Sequence, residues 1–543
     1  MDRPALIALA RTWAPRLPSL ALGGLLAIYL AFAFRGLSTS SYWIDELFTL
    51  FVVDHHGGWS EVMARALTDT HPPAYYLALN GWIALFGSSE AAVRSLSALC
   101  ATGAVIVFIG GTRGVYSLRA RLFAGLLATG SAWWFMQSQN GRNYAFCMLA
   151  SAVLATAAVA IRRRLALGGP FPARAVGALA AAGLIGSLGH FYMLLQTGMI
   201  FAALILTTRD RRVQATVAAA GLAILAVTLA YIHALRAHTL QDFAALWFGK
   251  DWAFFQMELN GVWQDLMDWT VGAALAVLVL AMMVWRGRAA QTPGGADRGL
   301  GDWIAAAGLF AAIAAALLGV IVTLVYTPSF SDQNVLVAFP LIWPGAAWLY
   351  DAALGSRGPP WETAIGLAVV ACLAPRLGDL ERRDVQRMED WRGSAAYVSG
   401  LAACRGQDIP VVLPFRFGPS TSFFRRLAEV DFFGRYYRGG GSLKAFLPDE
   451  LARDPTLKPL YAPRAHGGCP VLAWSVHDVG PPDAERIRAA LAARLELAGA
   501  KVVAHGFPSD FGPNDDAPNG DWAYVYEVAR PVPPSPAHRL RVR

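Results

Sequence analysis

Ser41–Gly87 reads SYWIDELFTLFVVDHHGGWSEVMARALTDTHPPAYYLALNGWIALFG. It follows the first long apolar run, Leu20–Phe34, and its charge is mostly acidic and clustered. Asp45 and Glu46 are adjacent, and Asp69 and His71 stand just before Pro72-Pro73. Most of the chain beyond it alternates long apolar runs with short arginine-bearing turns, which is the pattern of helices that cross a bilayer and hold loops between them.

The composition agrees. Of 543 residues 55% are hydrophobic and 15% charged, against about one quarter charged in a soluble chain, and the mean hydropathy is +0.41. The apolar blocks run to roughly 17–25 residues, enough to span the hydrocarbon core. The 18 Trp and 16 Tyr suit interfacial belts. The net charge of +8 is mostly arginine and reads as cytoplasmic loop charge in contact with membrane lipids. No basic face with interleaved aromatics points to nucleic acid. Arg3, Arg11 and Arg16 precede the first apolar run, and no small-residue cleavage site follows it, so this run reads as a signal anchor with a cytoplasmic N-terminus.

Hydropathy and arginine placement together predict a polytopic α-helical membrane protein with about eleven crossings. The expected spans are 18–35, 93–111, 122–135, 144–161, 175–188, 192–206, 213–235, 271–285, 304–326, 335–350 and 365–374. Residues 72–86 are apolar enough for a further span. Counting them would put Arg113–Arg121 and Arg162-Arg163-Arg164 outside, so this segment reads as a helix lying in the interface. The predicted organisation is a membrane domain over 1–375, with a first outer loop at about 37–91, and a soluble extracytoplasmic α/β domain over 376–543. In that tail 410–414, 471–474, 501–505 and 522–528 read as strands, and 390–401 and 483–497 as amphipathic helices. Cys100, Cys147 and Cys372 sit in apolar runs as small core residues. Cys404 and Cys469 both fall in the tail, where a disulfide and two buried thiols are equally compatible with the sequence.

Charges at a membrane boundary are costly and usually have a purpose. Asp45 and Glu46 on one short helix point about 100° apart, so one can face a cavity while the other pairs structurally. A partly desolvated aspartate there would be a general base for a hydroxyl; a capping or solvated acidic pair is the plainer reading. Asp69 and His71 could orient an acceptor, neutralise a phosphate or, with Asp45, bind a divalent metal; Asp-x-x-Pro is also ordinary turn chemistry. Arg142 falls at an outer boundary, against the positive-inside bias, with Gln139 and Tyr144 beside it. Guanidinium binds phosphate bidentately, and snorkelling to headgroups is the alternative. His190 marks another outer turn, and Lys250 stands in the aromatic run Phe243–Phe255 as a phosphate contact or an interfacial anchor. Asp54, His55 and His56 read as a loop.

In order, Trp43-Ile44-Asp45-Glu46, Asp69-Thr70-His71-Pro72-Pro73-Ala74-Tyr75-Tyr76, Leu85-Phe86-Gly87-Ser88-Ser89-Glu90, Ser138-Gln139-Asn140-Gly141-Arg142-Asn143-Tyr144 and Glu389-Asp390-Trp391-Arg392 resemble the motifs of bacterial GT-C glycosyltransferases. The resemblance is to the family 39-like or RgtA/B/C/D-like proteins, related to protein O-mannosyltransferases and to the lipid A aminoarabinose transferase. It covers about Trp43–Arg392. It implies a GT-C fold in the bacterial inner membrane and a polyprenyl-phosphate-linked sugar as donor. It further implies transfer with inversion to a glycolipid, polysaccharide or protein on the periplasmic face. Asp45 would then be the base, with Glu46 and Asp69 in support, and Arg142 would hold the donor phosphate. Gln333 stands where relatives often place an arginine, Asn140-Gly141 where they often have Glu-Ala, and His71 where some have lysine. A lipid or polysaccharide transporter or flippase, or a non-catalytic membrane assembly protein, are the competing classes. Against a transporter, no duplication appears, and the polar residues gather at the outer boundary.

Overall fold

The computed structural model describes residues 16–53, 57–238, 248–284, 298–354, 359–378, 389–413, 421–447, 450, 468–477, 481–494, 501–507 and 523–529. Arg3 and Arg11, the loop residues Asp54, His55 and His56, and part of the Phe243–Phe255 run lie outside them, as do the ends of the expected elements at Pro414, 495–497 and Trp522. Contacts divide the chain into two units. A helical unit takes 1–37 and 52–384, and an α/β unit takes 38–51 and 385–543.

In the helical unit every one of the expected apolar runs falls on helix. Four helices are long and apolar enough to cross a membrane among the described residues: Glu90–Gly111, Tyr144–Ala166, Arg211–His238 and Gly299–Val325. A fifth span arises if the pair Trp252–Leu266 and Trp269–Val284, bent by 74°, is counted as one. Shorter apolar helices include Leu17–Phe32, Ala173–Ser187 and Phe191–Thr207. Ala74–Phe86 is the helix expected in the interface. Serine hydroxyls start several of these helices by accepting a backbone N–H of the first turn: Ser89 from Ala92, Ser117 from Ala120 and Ser131 from Trp134.

Two expected spans are broken. Residues 122–135 divide into Leu118–Gly130 and Ala132–Ser138, because Ser131 is extended (φ −69°, ψ 147°) and its Oγ takes over as cap for the second helix. Within an apolar environment such a break needs a hydroxyl to satisfy the freed backbone groups. Residues 335–350 divide into Asp332–Leu336, a 3-10 turn at Phe339–Leu341 and Trp343–Leu354. Pro340 and Pro344 lack the N–H that an unbroken helix would use. The segment before 271 also holds a helix that hydropathy did not mark, Trp252–Leu266. Arg376, expected to open the soluble tail, lies in the helical unit, where it is buried and pairs with Asp268 at 2.7 Å.

The α/β unit is built on five strands: β1 (Ile409–Val412), β2 (Leu443–Phe446), β3 (Val471–Val476), β4 (Lys501–Phe507) and β5 (Ala523–Ala529). Their order is β2-β1-β3-β5-β4. β1 is parallel to β2 and β3, whereas β5 runs antiparallel to β3 and β4. All six residues of β3, VLAWSV, are buried, the pattern of a central strand covered on both faces. Helices Trp391–Gly400 and Pro481–Arg494 match the expected amphipathic segments. The four-residue β2 was not expected.

Cys404, in the turn after Trp391–Gly400, is disulfide-bonded to Cys469, which leads into β3. The bond closes a 65-residue separation, and a loop of that size is stabilised by about 4 kcal/mol through the entropy of the unfolded chain. Non-reducing peptide mapping of the purified protein is therefore expected to find Cys404 and Cys469 on linked peptides and Cys100, Cys147 and Cys372 as thiols. Alkylation of Cys404 or Cys469 without prior reduction would contradict this pairing.

Candidate active site

The loop that precedes helix Ala74–Phe86 is a tight turn. Asp69 N–H donates to Ala66 O, and Pro72-Pro73 fixes the chain so that Ala74 N–H reaches Leu188 O at 2.7 Å. That bond ties the Asp-x-His-Pro-Pro turn to the Leu188-Gly189-His190 turn. Two loops separated by more than a hundred residues thus meet inside the helical unit.

Asp69 is 2% exposed, and its carboxylate is surrounded by donors. Tyr76 Oη donates to Oδ2, and His71 Nδ1 lies 3.1 Å from the same oxygen. Burial alone would raise this carboxyl. The charge and hydrogen bond of His71, the charge of Arg142 and the Tyr76 hydroxyl outweigh it and hold Asp69 well below the usual carboxylate range. Tyr76 is correspondingly pushed well above the usual phenol range, by burial and by the charge of Asp69. Asp69 is thus an ionised, fully engaged carboxylate that orients His71 and Tyr76.

Arg142, 5% exposed, stands against His71. Its Nη2 lies 3.3 Å from Nε2 and 3.5 Å from Nδ1, so the guanidinium meets the ring as a whole and not one lone pair. Beyond it is His190, buried, with its ring centroid 6.2 Å from that of His71 and 5.8 Å from that of Tyr144. Two bonds fix the tautomer of His190. Tyr192 N–H donates to Nδ1 at 3.2 Å, so Nε2 carries the proton and donates to Asn334 Oδ1 at 2.9 Å. Asn334 is held in turn by donating from Nδ2 to Ser329 O at 2.8 Å, which also accepts from Tyr192 Oη. Burial, reinforced by the neighbouring His71, pushes His190 down to about 3 against the opposing bond to Asn334. His190 is a neutral wall, and Arg142 is a permanent cation of this group.

Of the residues expected from sequence, Asp69, His71, Arg142, Tyr144 and His190 therefore come together. Gln139 does not serve as a phosphate donor. Its amide NH2 is committed to Phe32 O and Arg35 O, at 3.2 and 2.7 Å, where it closes the end of the first helix. Lys250 is exposed just ahead of Trp252–Leu266, and no contact joins it to this group among the described residues. Tyr76, Asn334 and Tyr231, whose hydroxyl lies 3.4 Å from His71 O, were not singled out as site residues. Tyr76 stood within the quoted motif, and Asn334 directly follows the Gln333 noted as a departure. No group of three or more His, Cys, Asp or Glu side chains is placed to hold a metal among the described residues. Asp69 and His71, two of the three residues considered as ligands, are hydrogen-bonded to each other.

Asp45 and Glu46 belong to the α/β unit, in the first turn of helix Ile44–Val53. The two carboxylates divide as their angular separation allows. Glu46 is 1% exposed, and its Oε2 accepts the Trp43 N–H at 3.3 Å, half of a capping box. Asp45 is half-buried.

No protein-family model matches the sequence, and no curated protein does. Among solved structures the chain is similar to ArnT from Cupriavidus metallidurans in the apo state, at 14% identity over 92% of this chain and 97% of that one, with a TM-score of 0.48. The same protein bound to undecaprenyl phosphate gives 14%, 94%, 98% and 0.47. The arabinofuranosyltransferase AftD from Mycobacteria matches at 16% identity over 94% of this chain and 40% of its own, with a TM-score of 0.49. An Archaeoglobus fulgidus oligosaccharyltransferase tethered to an acceptor peptide matches at 12% over 93% and 74%, with a TM-score of 0.43. These are GT-C glycosyltransferases, the group whose motifs the sequence resembles.

The folded-state value of Asp69 lies below its unfolded one of about 3.9, so its contribution to stability is complete above that pH and is lost as pH falls toward the folded value. Asp69→Asn is expected to lower the apparent Tm at pH 7, through a loss on the order of 3 kcal/mol for breaking a buried pair. The gap to wild type should close as pH is lowered below about 4. A gap that stays constant from neutral to acid pH would contradict the ionised, paired state of Asp69.

Proposed function

We propose that the chain is a membrane glycosyltransferase that moves a sugar from a polyprenyl-phosphate donor to a hydroxyl of a glycolipid, polysaccharide or protein acceptor. The observation that carries this reading is the buried Arg142 against His71 and Asp69, with neutral His190 behind it. A guanidinium shielded from water, held by an ionised aspartate through an imidazole, is suited to a phosphate with two oxygens to present. Exclusion of water strengthens that contact.

In this reading Asp45 takes the proton of the acceptor as the acceptor attacks the anomeric carbon. The bond between that carbon and the phosphate oxygen breaks, and the electron pair leaves with the polyprenyl phosphate, whose charge Arg142 meets. One displacement from the opposite face inverts the anomeric configuration. Asp69 and Tyr76 hold His71 in place. His190, with both nitrogens committed, positions Asn334 and takes no proton. Glu46 secures the first turn of the helix that carries Asp45. The reading takes the chain to cross a bacterial inner membrane about eleven times, with a cytoplasmic N-terminus and the α/β unit in the periplasm. The arginine-rich turns expected on the cytoplasmic side and the Cys404–Cys469 disulfide, which belongs in an oxidising compartment, both support that orientation.

The test uses purified protein in nanodiscs with a panel of radiolabelled polyprenyl-phosphate sugars, wild type beside Asp45→Asn. One donor is expected to turn over in wild type, and the variant should lose about 10²–10⁴-fold, the usual contribution of a general base. Equal turnover in the two proteins would remove Asp45 from that role.

A further inference from the structure

We infer that the α/β unit takes part in catalysis through a lock, formed by Ser41, Glu389, Trp391 and His477, that positions the helix bearing Asp45. The inference rests on the reading of Asp45 as base, and all of the residues concerned lie within the one unit.

The lock is a closed set of hydrogen bonds. Ser41 Oγ donates to Glu389 O at 2.6 Å and accepts the Trp391 N–H at 3.2 Å. The Glu389 carboxylate, 2% exposed, is held from both sides by Trp391 Nε1–H and by His477 Nδ1. A buried carboxylate is tolerated only with such partners. The neighbouring backbone is held in the same way. Tyr42 N–H donates to Tyr436 Oη at 2.9 Å, and Arg392 donates to Ser38 O and Ser40 O at 3.2 and 3.3 Å. The segment 38–42 therefore takes these partners from residues 348 to 394 positions away, and Asp45 follows three residues later in the first turn of Ile44–Val53.

His477 adds a second observation. It closes β3 with φ at +72°, and it is the non-glycine residue found in that region among the described residues. Positive φ is uncommon for a non-glycine residue, although histidine is among those that adopt it more readily, and such conformations cluster at functional sites. Here the left-handed backbone sets the imidazole against the carboxylate of Glu389, the residue whose main-chain carbonyl accepts from Ser41. Small displacements of a catalytic group cost up to about 10²-fold in rate, so a contact that fixes the segment leading to Asp45 bears on turnover.

The test uses the full-length protein in nanodiscs and compares Ser41→Ala, Ser41→Thr and Glu389→Gln with wild type and Asp45→Asn. Two readouts are taken: donor turnover, and hydrogen exchange of the Ile44–Phe51 and Val471–Val476 amides. Ser41→Ala and Glu389→Gln are expected to lower kcat by about 10- to 100-fold with the donor KM within about twofold, and Ser41→Thr to recover most of kcat. Exchange over Ile44–Phe51 should rise by about tenfold, the equivalent of one lost hydrogen bond, while Val471–Val476 stays protected. Wild-type kcat in both variants beside an inactive Asp45→Asn would overturn the lock and leave the base in place. Loss of protection in both segments together would overturn it in favour of a role in folding alone. If Asp45→Asn stays active the base assignment falls, and exchange then decides: unchanged protection of Ile44–Phe51 removes the lock as well.

Discussion

A carboxylate and a guanidinium buried together in an apolar helical unit set the terms for the candidate site. Neither Asp69 nor Arg142 could stay charged alone there, since isolating an ion from water costs several kcal/mol even after relaxation. His71 stands between them and touches both. Each remaining feature of the group follows from keeping that pair satisfied. Tyr76 gives its hydroxyl proton to Asp69, Pro72-Pro73 fixes the turn on which Asp69 and His71 sit, and the Ala74–Leu188 backbone bond brings His190 to the same place. His190 is held neutral there by burial and by the neighbouring His71.

In this group the guanidinium of Arg142 meets the imidazole of His71, which also contacts the Asp69 carboxylate. The α/β unit shows the same arrangement with Glu389, which is buried, is met by His477 and Trp391, and offers its main-chain carbonyl to Ser41. In both units a histidine–carboxylate contact stabilises a loop that carries a residue of the proposed chemistry.

Much of this was legible in the sequence, for physical reasons. Hydropathy reports burial in lipid, so each apolar run found its helix. It does not report backbone hydrogen bonding, so the breaks at Ser131 and at Pro340 were missed even though serine and proline stood in plain view. Charges at a membrane boundary are conspicuous, which made Asp69, His71, Arg142 and His190 candidates. Tyr76 and Asn334 are not conspicuous, because tyrosine and asparagine are common at interfaces and their roles depend on which loop lies opposite. Gln139 was read by its neighbourhood in the sequence, whereas its partners, Phe32 and Arg35, come from another helix. β2 is four residues long and owes its existence to pairing with β1, which no local pattern reveals. The disulfide stayed open between two readings because pairing needs the Cα separation, here 4.4 Å.

The central claim is that Arg142 is the phosphate-binding cation, and binding tests it without requiring that the sugar or acceptor be known. Undecaprenyl phosphate affinity would be measured for wild type, Arg142→Lys and Arg142→Ala in nanodiscs, at two salt concentrations. Arg142→Ala is predicted to weaken binding by about 10–100-fold, the equivalent of the 1.5–3 kcal/mol of a charged hydrogen bond. Arg142→Lys should fall between the two, because lysine keeps the charge but not the fork. Equal affinity in all three proteins, each with a wild-type melting profile, would contradict it.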